Sequence, residues 1–187
     1  MPPKVKISKE DILQTAIELV RKGGEEAVNA RAIAGALNCS TQPIFSNFAS
    51  MEELQGGVLA YAHGIYLSFL KAESEKQEYP KYKAFGMAYI RFASEEKELF
   101  KLLFMCDRTG KSFIPTADFD ASVEMIMNAN KITKEKAELM HLEMWVSVHG
   151  IATILATSFL TLEWELISNI LTDIYQGIRA KHVSEDK

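Results

Sequence analysis

Between Asn29 and Asn47 the chain gathers side chains that can bond to nucleic acid: Asn29, Arg31, Ser40, Thr41, Gln42, Ser46 and Asn47. The amides of Gln42 and Asn47 each offer the adjacent donor and acceptor that match adenine in the major groove. Thr41 and Ser46 add hydroxyls for base edges or phosphates, and Arg31 adds a guanidinium suited to a phosphate. Upstream, Lys4, Lys6 and Lys9 form a basic arm. Catalytic patterns are missing by contrast. The chain has no nucleophile elbow, no phosphate-binding loop and no metal motif. Cys39 and Cys106 lie far apart without a CxxC, as suits a reducing cytoplasm. His141 and His149 are eight helical residues apart, about 12 Å, so they do not form a metal pair. No enzyme activity, metal or cofactor is expected.

These side chains must be held by short helices. Ile33, Ala34 and Leu37 share one helical face, and Ile44, Phe45 and Phe48 share another. Asn38, Cys39 and Ser40 lie between the two. Asn38 tolerates the left-handed conformation that ends a helix, and Ser40 is expected to cap the next one through the N–H of Gln42. Pro43 then falls at the third helical position, where its missing N–H has no intrahelical partner, although it biases Gln42 away from helical dihedrals. This is the pattern of a helix-turn-helix, whose second helix enters the major groove. Ser8 and Asp11 cap a first helix, with Ile12, Leu13, Ala16, Leu19 and Val20 at helical spacing until Gly23 and Gly24 stop it. Asn29 caps the second helix and, with the amides behind it, can meet a phosphate.

The order of residues from Lys9 to Leu54, with Arg31 to Ala34, Ser40, Ile44, Phe48, Ser50 and Leu54 at their places, resembles the DNA-binding domain of the tetracycline-repressor (TetR) family of transcriptional regulators. The run AYIRFASEEKELFKLLF and the W-x-x-x-H-G pattern of Trp145, His149 and Gly150 are similar to carboxy-terminal parts of the same family. The resemblance implies an all-α fold. Residues 1–54 are expected to form a three-helix, helix-turn-helix DNA-binding domain. Residues 55–187 are expected to form a helical ligand-binding and dimerisation bundle, with a long helix joining the two. The DNA-contacting set it implies is Lys9, Asn29, Arg31, Ser40, Thr41, Gln42, Pro43, Phe45, Ser46 and Asn47. The expected partners are double-stranded DNA with a palindromic site and an apolar or aromatic small-molecule effector. The expected pocket residues are Phe85, Tyr89, Phe92, Phe104, Met125, Trp145 and His149, although a Met and aromatic stripe is more often ordinary core. His149 is likewise more often a satisfied core histidine than a ligand contact.

The sequence also departs from the family pattern. Asn38 stands where a glycine is common, Phe45 replaces a tyrosine, Asn47 a histidine and Met51 a lysine. The tyrosine and lysine typically hold phosphates. Residues 1–56 carry six basic against seven acidic side chains, and the whole chain has a net charge of -4. Any DNA contact must therefore come from a local patch, and binding is expected to be weak or strongly salt-sensitive. A module of the same fold that binds a ligand or protein, with little DNA affinity, is the alternative.

The remaining chain reads as further helices. Ser50 and Glu53 cap a helix carrying Leu54, Val58, Tyr61, Ala62, Ile65, Tyr66 and Phe69, either a switch element or a spacer between the domains. Two more helices are expected over 82–94 and 96–105, a flexible connection over 107–118, and another helix around Val123, Ile126 and Met127. Thr133 caps a helix to about Thr157, with Gly150 expected to allow close helix packing, and a last helix runs from Leu162 to about Lys181. Both of these are apolar over most of their surface, which points to a homodimer made through the last two helices. The amino terminus lacks an apolar signal core, and the apolar run from Val146 to Leu162 is broken by polar residues, so neither export nor a membrane span is expected.

Overall fold

The computed structural model describes residues 7–106 and 117–184, and every regular element among them is helical. The expected connection over 107–118 falls mostly outside the described residues, as do Lys4 and Lys6. The described residues form two compact units, one containing residues 7–68 and 96–106, the other residues 69–95 and 117–184.

In the first unit α1 spans Lys9–Gly23. Ser8 Oγ accepts the N–H of Asp11 at 3.1 Å, and the Asp11 carboxylate accepts the N–H of Ser8 at 2.8 Å. Two otherwise orphan donors are thereby satisfied. The Ser8 bonds hold the Asp11 carboxyl below the usual range. Ile12, Ala16, Ile17 and Val20 form the buried stripe of α1. The helix stops at Gly24, whose φ of 73° and ψ of -172° suit glycine alone. A 3-10 turn at Glu25–Ala27 leads to α2, Ala30–Ala36, and then α3, Gln42–Asn47. The long α4, Met51–Glu75, belongs to this unit as far as Ser68, and α6 covers Lys97–Phe104.

α6 packs against α1 through its buried face of Leu99, Phe100 and Leu103. Arg21 fixes that pairing by donating from Nε and Nη2 to the two carboxylate oxygens of Glu96, at 2.9 and 2.6 Å. Tyr66 of α4 meets Phe104 edge-on at 5.0 Å. α6 thus belongs with the amino-terminal helices. α4 runs without interruption through residues 54 and 55, and residues 96–106 pack into the same compact unit as the amino-terminal helices.

The second unit contains α5, Lys81–Glu95; α7, Ala117–Asn130; α8, Lys134–Ala156; and α9, Trp164–Ser184. α8 lies at its centre, packed on α5, α7 and α9. It has the length and composition that a bilayer crossing would also need; Ala137, Met140, Met144, Val148, Ile151 and Leu155 are buried in the packing of this unit, while Leu139, Leu142 and Val146 are exposed. Val123, Ile126, Ile132, Ala137 and Met140 form a core cluster, bordered by Tyr82, Phe119 and Tyr175. Within it Asn130 donates to Tyr175 Oη at 3.1 Å and to the Ile126 carbonyl at 2.9 Å, and accepts from Arg179 Nε at 2.8 Å. A buried amide is tolerable only when satisfied in this way.

Left-handed residues end α7 and α8, Lys131 at φ 57° and Ser158 at φ 55°. The expected close packing at Gly150 is not found within the chain, since a Cβ there would meet nothing within 4 Å. Among the described glycines of this unit Gly86 is the tight one, where a Cβ would stand 3.3 Å from Val148 Cγ2. The difference arises because Gly150 lies on the exposed side of α8.

Candidate nucleic-acid interface

The turn between α2 and α3 is built by backbone bonds. Asn38 takes φ 52°, and the N–H of Cys39 returns to the Ala34 carbonyl at 2.9 Å, closing α2. Asn29 Oδ1 accepts the N–H of Ala32 at 3.0 Å, capping α2 at its start. The expected cap at Ser40 is not formed. Thr41 is the N-cap of α3 and makes no side-chain cap bond, so Pro43 sits in the second helical position instead of the third. Gln42 is the first helical residue despite the following proline. The first turn needs no N–H from Pro43 in either register, so the later start loses no hydrogen bond there.

α3 is held from beneath by Ile44 and Phe48, which are 0% and 1% exposed. Burying two such side chains contributes roughly 1.5–3 kcal/mol each, enough to seat a six-residue helix that would not form alone. Gly57 of α4 makes room, since a Cβ there would lie 3.1 Å from the Phe48 ring and 3.2 Å from Leu13. Phe45 does not join this face. It is 49% exposed and points outward with Gln42 and Ser46, because one residue of helix rotates it about 100° from Ile44.

The outward side of α3 is less polar in effect than its composition indicates. Ser46 Oγ donates to the Gln42 carbonyl at 2.9 Å. Asn47 Nδ2 donates to the Pro43 carbonyl at 2.8 Å and to the Ile7 carbonyl at 3.5 Å, so its amide ties the start of the chain to α3. Gln42 makes no side-chain hydrogen bond to a described residue. Thr41 and Pro43 are half-buried, Ser40 is exposed, and Arg31 is exposed on α2 with no ion pair to a described residue.

Lys9 lies across this end of the unit. Its ammonium is 4.5 Å above the centre of the Phe48 ring and 3.5 Å from Glu53 Oε1. Glu53 Oε2 accepts the N–H of Ala49 at 2.6 Å while the N–H of Glu53 donates to Ser50 Oγ at 3.2 Å, together capping α4. The Ala49 N–H, and secondarily Lys9, holds the Glu53 carboxyl below its ordinary value. Bonding to Ser50 does the same for Glu52. Two ionised carboxylates therefore stand beside the helix-turn-helix. The second capping pair is visible in the sequence, but the partnership of Glu53 with Lys9 joins residues too distant in sequence for spacing to reveal.

The residues expected to line a pocket are divided between the units. Tyr89 and Phe92 are buried on α5 and Phe85 is half-buried there, while Met125 is half-buried on α7. Tyr89 Oη is 2.9 Å from His149 Nδ1, and Trp145 stacks on His149 with centroids 5.0 Å apart and planes inclined by 9°. Phe104 belongs to the first unit, against Tyr66 and Phe100. A groove of about 360 Å³ opens elsewhere in the first unit, along Gln14, Thr15, Glu18, Arg21, Tyr61 and Ile65, and contains none of the expected pocket residues. The pairing of those α1 residues with Tyr61 and Ile65 has no signal in local spacing. Among the described residues no group of His, Cys, Asp or Glu is arranged to hold a metal.

Searches for a matching family model and for a similar curated protein find none. Among solved structures, a protein of unknown function from Rhodococcus sp. RHA1 shares the fold with a TM-score of 0.72 and 19% identity, covering 94% of this chain and 97% of that one. A TetR-like transcriptional regulator from the same organism matches with a TM-score of 0.65 and 15% identity, covering 94% of this chain and 96% of its own. The fold is therefore the all-α, TetR-like one, nearly end to end.

Proposed function

We propose that this chain is a homodimeric, DNA-binding transcriptional regulator, a repressor released from a palindromic site by an apolar or aromatic small molecule, acting in the cytoplasm without enzymatic chemistry. The observation that carries the reading is the helix-turn-helix itself: α2 and α3 joined through left-handed Asn38, with Ile44 and Phe48 buried and Gln42, Phe45 and Arg31 turned outward. A solved neighbour of the same fold is a TetR-like transcriptional regulator. In this reading residues 1–54 bind DNA, residues 55–187 bind the ligand and dimerise, and the DNA contacts are those expected from Lys9 to Asn47, with Lys9 reaching a phosphate only when it leaves Glu53. The effector meets the aromatic set around Tyr89, Trp145 and His149. It shifts the equilibrium only by its differential affinity for the two states. Pairing through α8 and α9 is supported by Leu139, Leu142, Val146 and Leu166, large apolar side chains left exposed in the single chain.

A second reading keeps the fold and the dimer but gives the chain a ligand- or protein-binding role with little DNA affinity. It is favoured by the capture of Lys9 by Glu53 and by the exposed phenyl of Phe45 where a phosphate-binding hydroxyl is customary. Selection from a random duplex pool, followed by fluorescence anisotropy across a salt series, separates the two. Recovery of a palindromic site supports the regulator. No duplex bound even at low salt refutes it.

A further inference from the structure

We infer that Phe45 reads the 5-methyl group of a thymine in the major groove, and that with Gln42 it makes this protein's half-site specific for adjacent A·T pairs. The inference rests on the reading of α3 as a DNA-recognition helix and adds which base chemistry that helix selects.

Ser46 turns its hydroxyl back to the Gln42 carbonyl, and half-buried Asn47 donates its Nδ2 to the Pro43 and Ile7 carbonyls. On the outward face this leaves one amide without an internal bond, Gln42, and one ring, Phe45. A phenyl ring has no hydrogen-bonding atom and cannot hold a phosphate. Among features presented in the major groove, the thymine methyl is the apolar one, and phenylalanine is among the side chains suited to contact it.

The surroundings favour that occupant over a protein partner. Phe45 is the sole exposed large apolar side chain on α2, α3 or the turn between them. A single ring among Gln42, Ser46 and Ser40 lacks the contiguous apolar patch that marks a protein interface. It does match one methyl group set among polar base edges.

Register then places the two readers together. Gln42 and Phe45 are three residues apart, about 4.5 Å along the helix axis, close to the 3.4 Å rise between bases on one strand. An amide that pairs with adenine N6 and N7 and a ring that meets a thymine methyl one turn later address the same or neighbouring base pairs. Ile44 and Phe48, fully buried beneath, hold the backbone that sets this spacing.

The test uses the full-length protein and the duplex recovered by selection. Each thymine is replaced in turn by deoxyuridine, which removes only the 5-methyl group, and affinity is measured for the native chain and for Phe45→Ala. One thymine per half-site is expected to respond, with about a fourfold loss for the native chain, the equivalent of roughly 0.8 kcal/mol for one buried methylene-sized group. Phe45→Ala is expected to bind more weakly and to be indifferent to the same replacement. Because Phe45 lies outside the core, the variant should retain its circular dichroism and melting temperature. Selection of a site in which no thymine responds overturns the inference while leaving the regulator reading intact. Equal sensitivity in the native chain and in Phe45→Ala overturns it as well. Failure to select any duplex overturns both.

Discussion

Replacing Glu53 with glutamine should turn Lys9 from an internal partner into a DNA contact. In the native chain the Lys9 ammonium is 3.5 Å from Glu53 Oε1, while the other carboxylate oxygen caps α4 through the Ala49 N–H at 2.6 Å. A glutamine carbonyl can keep the cap, and the bond from the residue 53 N–H to Ser50 Oγ does not involve the side chain. The ion pair is about half exposed on both sides, so its loss should leave the melting temperature nearly unchanged. Its effect on DNA should be larger. Each phosphate neutralised steepens the slope of log K against log salt by about 0.9, so two freed lysines in a dimer steepen it by about 1.8. Between 200 and 50 mM salt that amounts to roughly a 12-fold greater gain in affinity than the native chain shows. Anisotropy titrations of a selected duplex at four salt concentrations measure the slope directly. Glu26→Gln, which changes an exposed carboxylate that pairs with no described cation, serves as the control. An unchanged slope for Glu53→Gln, with binding intact, would refute the idea that Glu53 withholds Lys9 from phosphate.

Three further outcomes follow from the packing. Gly24→Ala should destabilise the first unit by about 1–3 kcal/mol, because φ 73° and ψ -172° strain any side chain and the new Cβ would stand 3.2 Å from Glu98 Oε2; chemical denaturation measures it. Asn130→Ala should cost about 2 kcal/mol by leaving Tyr175 and Arg179 without their partner, and a urea midpoint that does not move would contradict this. Burial holds His141 and His149 below the ordinary histidine value of 6.5, so the unfolded chain takes up their protons first as pH falls. Their contribution to stability is complete above pH 6.5 and declines as the pH drops through that value toward the folded ones. Melting temperatures should fall on acidification in that window, and His149→Gln should flatten the fall; an equally steep fall in the variant would count against it.

Much of the fold is legible in the sequence because it is local. Ser8 with Asp11, Asn29, Asn38 and Thr133 act over three or four residues, so caps, stops and helix periods could be read along the chain, and the helices appear where those signals place them. The cap of α3 is the exception. Ser40 and Thr41 are equally suited to that place, and nothing in their spacing chooses between them.

The sequence by itself thus determined an all-helical chain with a helix-turn-helix near its start, since apolar period and capping chemistry operate at short range. Only the tertiary structure decided that α6 completes the first core, that Glu53 holds Lys9, and that Asn47 is drawn toward Ile7 while Phe45 is left outside. Those outcomes depend on which surfaces meet once the helices pack. A helical period states only that Phe45 is one residue from Ile44; burial of Ile44 against the core is what turns the ring outward.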